Sequence, residues 1–153
     1  SLQSAKVNKL MTTNLTEASW PKSRWPNFSF KEIACQETSD CEMNESTMDR
    51  LQALRSEYGK GLRISSGFRS ALHSIEAKKK DPEGNPRPGA HATGRAIDIA
   101  VRGEDAYMVL SLATSLGFTG IGVSQKGDSR FLHLDDIQPA DNFHAPRPSV
   151  WSY

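Results

Sequence analysis

The sequence has little of the features that mark several large classes of protein. Its 153 residues include only two cysteines and four histidines, and the formal net charge is +1. The balanced charge argues against a nucleic-acid-binding protein, which needs a positive field, and no glycine-rich phosphate loop indicates a nucleotide site. No segment approaches the roughly 20 consecutive apolar residues of a membrane span. We therefore expect a globular protein with no membrane span and no nucleic-acid partner.

What is present fits one globular domain with many loops. Hydrophobic residues make up 37% of the chain, which also holds 11 glycines and 8 prolines. A chain of this length can bury a core without disulfides, so Cys35 and Cys41 are equally compatible with a disulfide and with two free thiols. The N-terminal SLQSAKVNKLMTTNL lacks the apolar core of a signal peptide. We expect a monomer.

Hydrophobic periodicity predicts an α+β fold, in which helices pack on a small, mainly antiparallel sheet. Two Trp-Pro steps make residues 1–27 an extended N-terminal arm, and residues 28–153 are expected to form a single domain. In the arm, Trp20 and Trp25 are interpreted as anchors to the core rather than as ligand contacts. The predicted elements are helices at 45–58, 70–80 and 104–116 and strands at 62–66, 95–101, 121–123 and 131–135, with an irregular tail after residue 139.

Three polar side chains are candidate metal ligands. His91 follows a loop rich in proline and glycine, Asp98 lies seven residues later within a predicted strand, and His133 lies in another strand. A carboxylate in the middle of a strand is costly to bury unless it is paired or metal-bound. Two histidines and one aspartate suit a catalytic zinc site that keeps one position open for water. The residues alone leave a second alternative open, a surface His91 beside a buried hydrogen-bonded network of Asp98 and His133.

Four sequence blocks occur in an order that resembles one enzyme family. They are ISSGFRS (64–70), the segment from His91 to Ile99, GFTGIGV (117–123) and FLHLD (131–135). This order is similar to that of the zinc D-Ala-D-Ala carboxypeptidase and murein endopeptidase family, whose fold is shared with hedgehog signalling domains. In the family an F-x2-E-x2-C segment precedes the blocks, and Phe30, Glu32 (one residue out of register) and Cys35 match it here. The similarity covers residues 28–137, and short phage-borne and bacterial members are the most similar.

The resemblance implies a zinc peptidase that hydrolyses amide bonds in peptidoglycan stem peptides, as a DD-carboxypeptidase or an endopeptidase that lyses the cell wall. It implies one Zn²⁺ per chain, held by His91, Asp98 and His133. Arg69 matches the arginine that in the family pairs with a substrate carboxylate or with the polarised carbonyl, a role that suits a planar guanidinium. Asp135 is expected to orient a ligand histidine rather than to bind the metal.

Other positions either add to this assignment or depart from the family pattern. Ser66 and His73 are candidates for substrate contacts. Arg130 stands where many relatives carry the general base, three residues before the third ligand, so the loop residue Asp128 becomes the candidate base. Gly89 stands where relatives often have a serine, two residues before the first histidine.

The departure at the base position leaves a second function open, a catalytically silent, zinc-stabilised module that binds the cell wall or a protein. We expect the protein to act on the cell wall, in the periplasm or outside the cell. The absence of a visible signal peptide fits an endolysin that is made in a host cytoplasm and then released.

Overall fold

The computed structural model of the chain describes residues 11–153, and a five-stranded sheet lies at its centre. In chain order the strands are β1 (Thr12–Asn14), β2 (Glu42–Asn44), β3 (Ile64–Ser66), β4 (Ala96–Ile99), β5 (Gly120–Ser124), β6 (Phe131–Asp135) and β7 (Ser149–Ser152). The helices are α1 (Phe30–Ile33), α2 (Glu45–Tyr58) and α3 (Gly103–Ser115), with short 3₁₀ turns at Glu76–Lys78, Ala90–Thr93 and Pro139–Asp141. The α+β fold predicted from the sequence is confirmed.

The main sheet has the strand order β3-β4-β6-β5-β7, and β1 pairs separately with β2. Neighbours in the main sheet are antiparallel except β5 and β7, which are parallel. The register forms one row across the sheet, which consists of Ser66, Asp98, His133, Gly122 and Trp151. Residues that lie directly opposite one another on paired strands share a face, so this row places two of the candidate metal ligands side by side.

The other face of the sheet is apolar because side chains alternate along each strand. Ile97 and Ile99 of β4 and Leu132 and Leu134 of β6 are buried there. They belong to one hydrophobic core with buried side chains of the two long helices, among them Met48, Leu51, Leu54, Val109 and Ala113. The sheet therefore separates an apolar core from a polar face.

The predicted helix at 45–58 forms with the same bounds. The Asn44 side chain caps its first turn by accepting a hydrogen bond from the Thr47 N–H at 2.9 Å. Gly59 ends it in the left-handed conformation, with φ of 77°, which a residue with a Cβ adopts only at a cost. The helix predicted at 104–116 forms as α3, displaced by one residue. Within residues 11–153 no helix combines the length and the apolar character needed to cross a membrane.

The helix predicted over 70–80 is wrong, because this segment consists of turns and the single 3₁₀ turn Glu76–Lys78. The apolar residues Leu72 and Ile75 are exposed, so a helix here would have no apolar face packed on the core. Its polar side chains instead bind distant groups, such as the Ser74 hydroxyl that donates to Glu37 at 2.6 Å. The tail predicted as irregular contains β7, which runs beside β5.

The first ten residues of the predicted N-terminal arm lie outside the described residues. From Met11 onward the arm forms β1 and a series of turns rather than one extended strand. Trp25 is fully buried and its indole N–H donates to Asp49 at 2.8 Å, while that of Trp20 donates to the Phe28 carbonyl at 2.9 Å. Both tryptophans thus anchor the arm to the core, whereas the domain boundary at residue 27 stays a prediction.

The two cysteines are free thiols, and both are buried. The Cys35 N–H donates to the Asp40 carbonyl within the turn between α1 and β2, and the Cys41 carbonyl accepts from the Leu15 N–H and so ties the arm to this turn. Burial raises the pKa of the Cys41 thiol to about 12, which keeps it protonated at neutral pH. Of the two alternatives that the sequence leaves open, the structure has free thiols.

Candidate metal centre

Three side chains from different elements meet on the polar face of the sheet. His91 lies in the 3₁₀ turn Ala90–Thr93, Asp98 lies in β4 and His133 lies in β6. The Oδ1 atom of Asp98 is 3.1 Å from His91 Nε2 and 3.0 Å from His133 Nδ1. One nitrogen or oxygen from each residue lies within 4.8 Å of the others, and all three residues are buried. We call this group the His–Asp–His cluster.

The outer nitrogens of both histidine rings face acceptors. His91 Nδ1 is 2.8 Å from the Gly67 carbonyl oxygen, and His133 Nε2 is 2.7 Å from a carboxylate oxygen of Asp135. Each outer nitrogen must therefore carry the proton and donate. In a neutral ring the inner nitrogen is then an acceptor, so two lone pairs and the carboxylate of Asp98 converge on one point. This arrangement is repulsive unless a cation, either a proton or a metal ion, lies between the three atoms.

This convergence shows that the residues fit a metal ion. Imidazole nitrogen and carboxylate oxygen together form the ligand set of catalytic zinc sites, which hold the metal with three protein ligands. Burial opposes ionisation of Asp98, but its hydrogen bonds with His133 and His91 outweigh that effect and hold its pKa well below the ordinary value. Asp98 is therefore a carboxylate at neutral pH and attracts a cation.

Asp135 supports the cluster from below His133. It is fully buried, and besides the His133 ring it binds the guanidinium of Arg147, with distances of 2.9 Å from Nε to Oδ1 and 2.8 Å from Nη2 to Oδ2. Burial opposes its ionisation, but His133 and Arg147 outweigh that effect and lower the pKa of Asp135. An ionised carboxylate at this position fixes which nitrogen of His133 carries the proton.

Two glycines of β5 make room for side chains on this face. A Cβ at Gly120 would collide with the carboxylate of Asp135, which lies directly opposite on β6. A Cβ at Gly122 would lie 2.6 Å from the indole nitrogen of Trp151. The lack of a side chain at these two glycines of the GFTGIGV block therefore leaves room over β5 for the side chains of Asp135 and Trp151 beside the cluster.

An open cleft of about 590 Å³ leads to the cluster. Arg69 lines it, and its Nη1 lies 3.5 Å from the buried carboxylate of Glu76. Glu76 also accepts from the Gly89 N–H at 2.8 Å and from the Lys79 ammonium at 2.8 Å. Glu76 therefore joins Arg69 to the loop that carries His91, and it places a cation in the cleft beside the cluster.

The predicted base does not line this cleft. Asp128 is exposed on the loop between β5 and β6, and Arg130, at the usual base position, donates to the Gly127 carbonyl at 2.9 Å. Among the side chains that line the cleft in the described part of the chain, Asp98 is the only carboxylate. The first ten residues contain neither aspartate nor glutamate.

The two predicted substrate contacts lie outside the cleft wall as well. Ser66 lies opposite Asp98 on β3 and is half-buried. His73 is buried in a turn, where its Nε2 lies 3.0 Å from a carboxylate oxygen of Glu37 and its Nδ1 accepts from the Ile75 N–H at 3.0 Å. Because both ring nitrogens are engaged, His73 holds a turn together, and its contact with substrate stays a prediction.

The C-terminal segment (residues 136–153) supplies cleft residues that the sequence analysis did not assign to the site. The ring of Trp151 lies 5.1 Å from that of His133, and the Arg147 guanidinium lies over the rings of Phe143 and Trp151 at 5.2 and 5.0 Å. His144 also lines the cleft. Partial burial and the cations Arg87, Arg147 and Lys79 lower its pKa. The only sequence signal was a cluster of aromatic residues and one arginine among prolines, which is also typical of a surface loop.

A comparison with protein families agrees with the geometry. Residues 26–135 match the family model described as Peptidase M15, whereas no curated protein matches the chain. The matched range includes the whole His–Asp–His cluster, and it ends at Asp135, before the C-terminal segment. The resemblance drawn from the four sequence blocks is thereby confirmed. The chain belongs to the Peptidase M15 family.

Proposed function

We propose that the protein is a zinc-dependent peptidase that hydrolyses amide bonds in the stem peptides of peptidoglycan, as a DD-carboxypeptidase or an endopeptidase. The observation that carries the proposal is the convergence of three acceptor atoms at an open cleft in a Peptidase M15 chain. Such a cluster needs a cation, and the cleft gives a peptide access to it. The cell wall is the proposed place of action.

His91, Asp98 and His133 are the residues that would hold the zinc ion. Bound zinc supplies a Lewis acid that activates water and polarises the scissile carbonyl. The protein contributes fixed ligand orientations, because the Gly67 carbonyl holds the ring of His91 and Asp135 holds that of His133. Zinc is preferred over the oxygen-seeking Mg²⁺ and Ca²⁺ because two of the three ligand atoms are imidazole nitrogens.

Arg69 is proposed to bind the carboxylate of the substrate or the developing oxyanion. Its side chain is mostly buried but lines the cleft, and the fully buried carboxylate of Glu76 holds it in place. Lys79 lines the same cleft and contacts the same carboxylate. Two cations tethered in this way favour a substrate with a negatively charged end, as a stem peptide with a free D-alanine carboxylate has.

Proton transfer is the role for which the cleft offers an alternative to Asp128. A lowered pKa leaves His144 neutral at pH 7, so its imidazole can accept a proton from water and deliver it to the leaving amine. We propose His144 for this role because it lines the cleft, whereas Asp128 does not. Assays of H144Q and D128N separate the two, since the variant that lacks the proton carrier loses roughly 100-fold or more in turnover.

The proposed function is tested by digestion of purified murein followed by mass spectrometry of the products. The protein is assayed with zinc, with a chelator, and with zinc restored. We expect release of a defined fragment that stops with the chelator and returns with zinc, and the mass lost identifies the bond. Absence of any fragment in the presence of bound zinc would contradict the enzymatic proposal.

One observation favours a second candidate function, a zinc-stabilised module that binds the cell wall without hydrolysis. Asp98 is the only carboxylate among the described residues that line the cleft, and it already belongs to the cluster. A co-sedimentation assay with murein separates the two functions when wild type is compared with H133A. If the protein is a binding module, the wild type releases no fragment and a folded H133A variant keeps the affinity for murein. If it is a peptidase, the wild type releases fragments and H133A loses this turnover.

A further inference from the structure

We propose that Arg147 is a positioning residue of the metal centre, which acts on His133 through Asp135. Arg147 belongs to the C-terminal segment, beyond the residues that match the Peptidase M15 model. The inference rests on the proposed function, because it assumes that the His–Asp–His cluster binds a metal ion.

The contacts form one continuous chain from the C-terminal segment to the cluster. The guanidinium of Arg147 binds both carboxylate oxygens of Asp135, at 2.9 and 2.8 Å. One of these two oxygens, Oδ2, also accepts from His133 Nε2 at 2.7 Å, and the opposite ring nitrogen, Nδ1, faces Asp98 at 3.0 Å. A rotation of the Asp135 carboxylate would therefore turn the ring that presents Nδ1 to the metal.

Within residues 11–153, Asp135 has no alternative partner of comparable strength. Its side chain is completely buried, and apart from Arg147 and His133 the described residues offer it only the Ile137 N–H, at 3.4 Å. A buried carboxylate that loses its cationic partner is strongly destabilised, and it regains contact by moving toward other donors or toward water. The bidentate grip of Arg147 is therefore what keeps the carboxylate beneath His133.

Within the described residues, every nitrogen of Arg147 already has a partner. Nε and Nη2 bind Asp135, and Nη1 donates to the carbonyl oxygens of Ala145 and Pro146 at 3.2 and 3.3 Å. Its side chain is 4% exposed and lies over the rings of Phe143 and Trp151. These contacts assign Arg147 to holding the site rather than to binding the peptide.

The neighbouring residue in the sequence provides a matched control. Asp136 is also buried, and Arg50 Nη1 binds its Oδ2 at 2.7 Å. Asp136 touches no member of the His–Asp–His cluster among its hydrogen bonds and ion pairs. Loss of Arg50 therefore removes an arginine from a buried aspartate without disturbing His133, and it leaves Arg95 Nη1 at 3.8 Å from Asp136 Oδ1.

The test uses the full chain with the substitutions R147K, R147M, R50K and R50M. Zinc affinity is measured by competition with a chromophoric chelator, and ligand geometry is read from the visible spectrum of the cobalt(II)-loaded protein. We expect R147M to weaken zinc binding by about 10–100-fold and to shift the cobalt bands, as removal of a group that orients a ligand does. R147K should bind zinc more tightly than R147M and less tightly than wild type, because lysine keeps the positive charge but cannot form the bidentate contact.

The control variants should lower the unfolding temperature without changing zinc affinity or the cobalt spectrum. A folded R147M variant with wild-type affinity and spectrum would overturn the inference, as would equal losses in R147M and R50M. If R147M does not fold, R147K provides the test. Wild-type zinc affinity and a wild-type cobalt spectrum in R147K would then overturn the inference. A wild-type protein that binds no zinc would refute the proposed function itself, which is a distinct result.

Discussion

Residues 26–135 and the C-terminal segment contribute to the candidate metal centre in different ways. The first region supplies all three members of the His–Asp–His cluster, two of them from the paired strands β4 and β6. The second supplies none, yet the ring of Trp151 lies 5.1 Å from that of His133, and Arg147 binds the carboxylate of Asp135. Paired strands and one 3₁₀ turn therefore supply the cluster itself, whereas the C-terminal segment supplies side chains that pack on His133 and bind Asp135.

The largest effect is expected when the charged member of the cluster, Asp98 in the first region, is replaced. We expect D98N to lower zinc affinity by more than the roughly 100-fold that follows removal of a group that orients a ligand. The amide keeps the shape of the carboxylate but not its charge. The metal content after dialysis, measured by mass spectrometry, checks this. D128N is the control and should retain one zinc per chain, and a D98N variant that also retains zinc would show that the cluster is not the site.

A second substitution tests the space that β5 leaves for Asp135. G120A puts a Cβ into the carboxylate, and forced overpacking of this kind costs about 1–3 kcal/mol in free energy of unfolding. Urea denaturation with and without zinc measures the loss. G61A is the matched control, because nothing lies within 4 Å of a Cβ at that position. Equal stabilities of G120A and G61A would contradict the packing argument.

From the side of the C-terminal segment, W151A removes the ring that packs on His133 and on Arg147. We expect zinc affinity to fall by about 10-fold, the lower end of the range for groups around a ligand, because the ring of His133 gains freedom. Chelator competition measures the change. V150A, on the exposed side of the same strand, should bind zinc as wild type does. Unchanged affinity in W151A would mean that the first region orients its ligands alone.

The smallest effect concerns pH and the loop before His91. Burial opposes ionisation of Glu76, but contacts with Lys79, Gly89 and Arg69 outweigh it and lower its pKa below the ordinary value of about 4.3. Its ionised form therefore stabilises the fold above that value, and this contribution is lost as the pH falls through the lowered pKa. The stability difference between wild type and E76Q should shrink as the pH falls from 6 to below 4 in urea titrations. A constant difference would refute this, and E83Q serves as an exposed control.

Much of the fold followed from local patterns. The spacing of Met48, Leu51 and Leu54 predicted α2, because a helix buries every third or fourth residue. Alternation predicted that Asp98 and His133 each lie opposite the apolar residues of their strands, and the antiparallel register then makes them neighbours. Periodicity indicates which face a side chain occupies, and it leaves the register to tertiary contacts.

The parts that escaped prediction depend on polar contacts between distant residues. The conformation of residues 70–80 is set by the hydrogen bonds of the buried Glu76 carboxylate rather than by the helix propensity of the segment. Strand β7 has no buried alternation, since Val150 is 70% exposed, and it is held by backbone pairing with β5. Arg147 meets Asp135 twelve residues away, and no spacing rule relates an arginine after a proline to a carboxylate at the end of a strand.

The contact between Arg147 and Asp135 joins residues that the ribosome adds at different times. Arg147 is synthesised 14 residues after His133, a delay on the order of a second at the roughly 5–20 residues per second of translation. A nascent chain thus carries all three cluster residues before it carries the arginine that binds Asp135. During that interval the carboxylate of Asp135 is present without the guanidinium that contacts both of its oxygens.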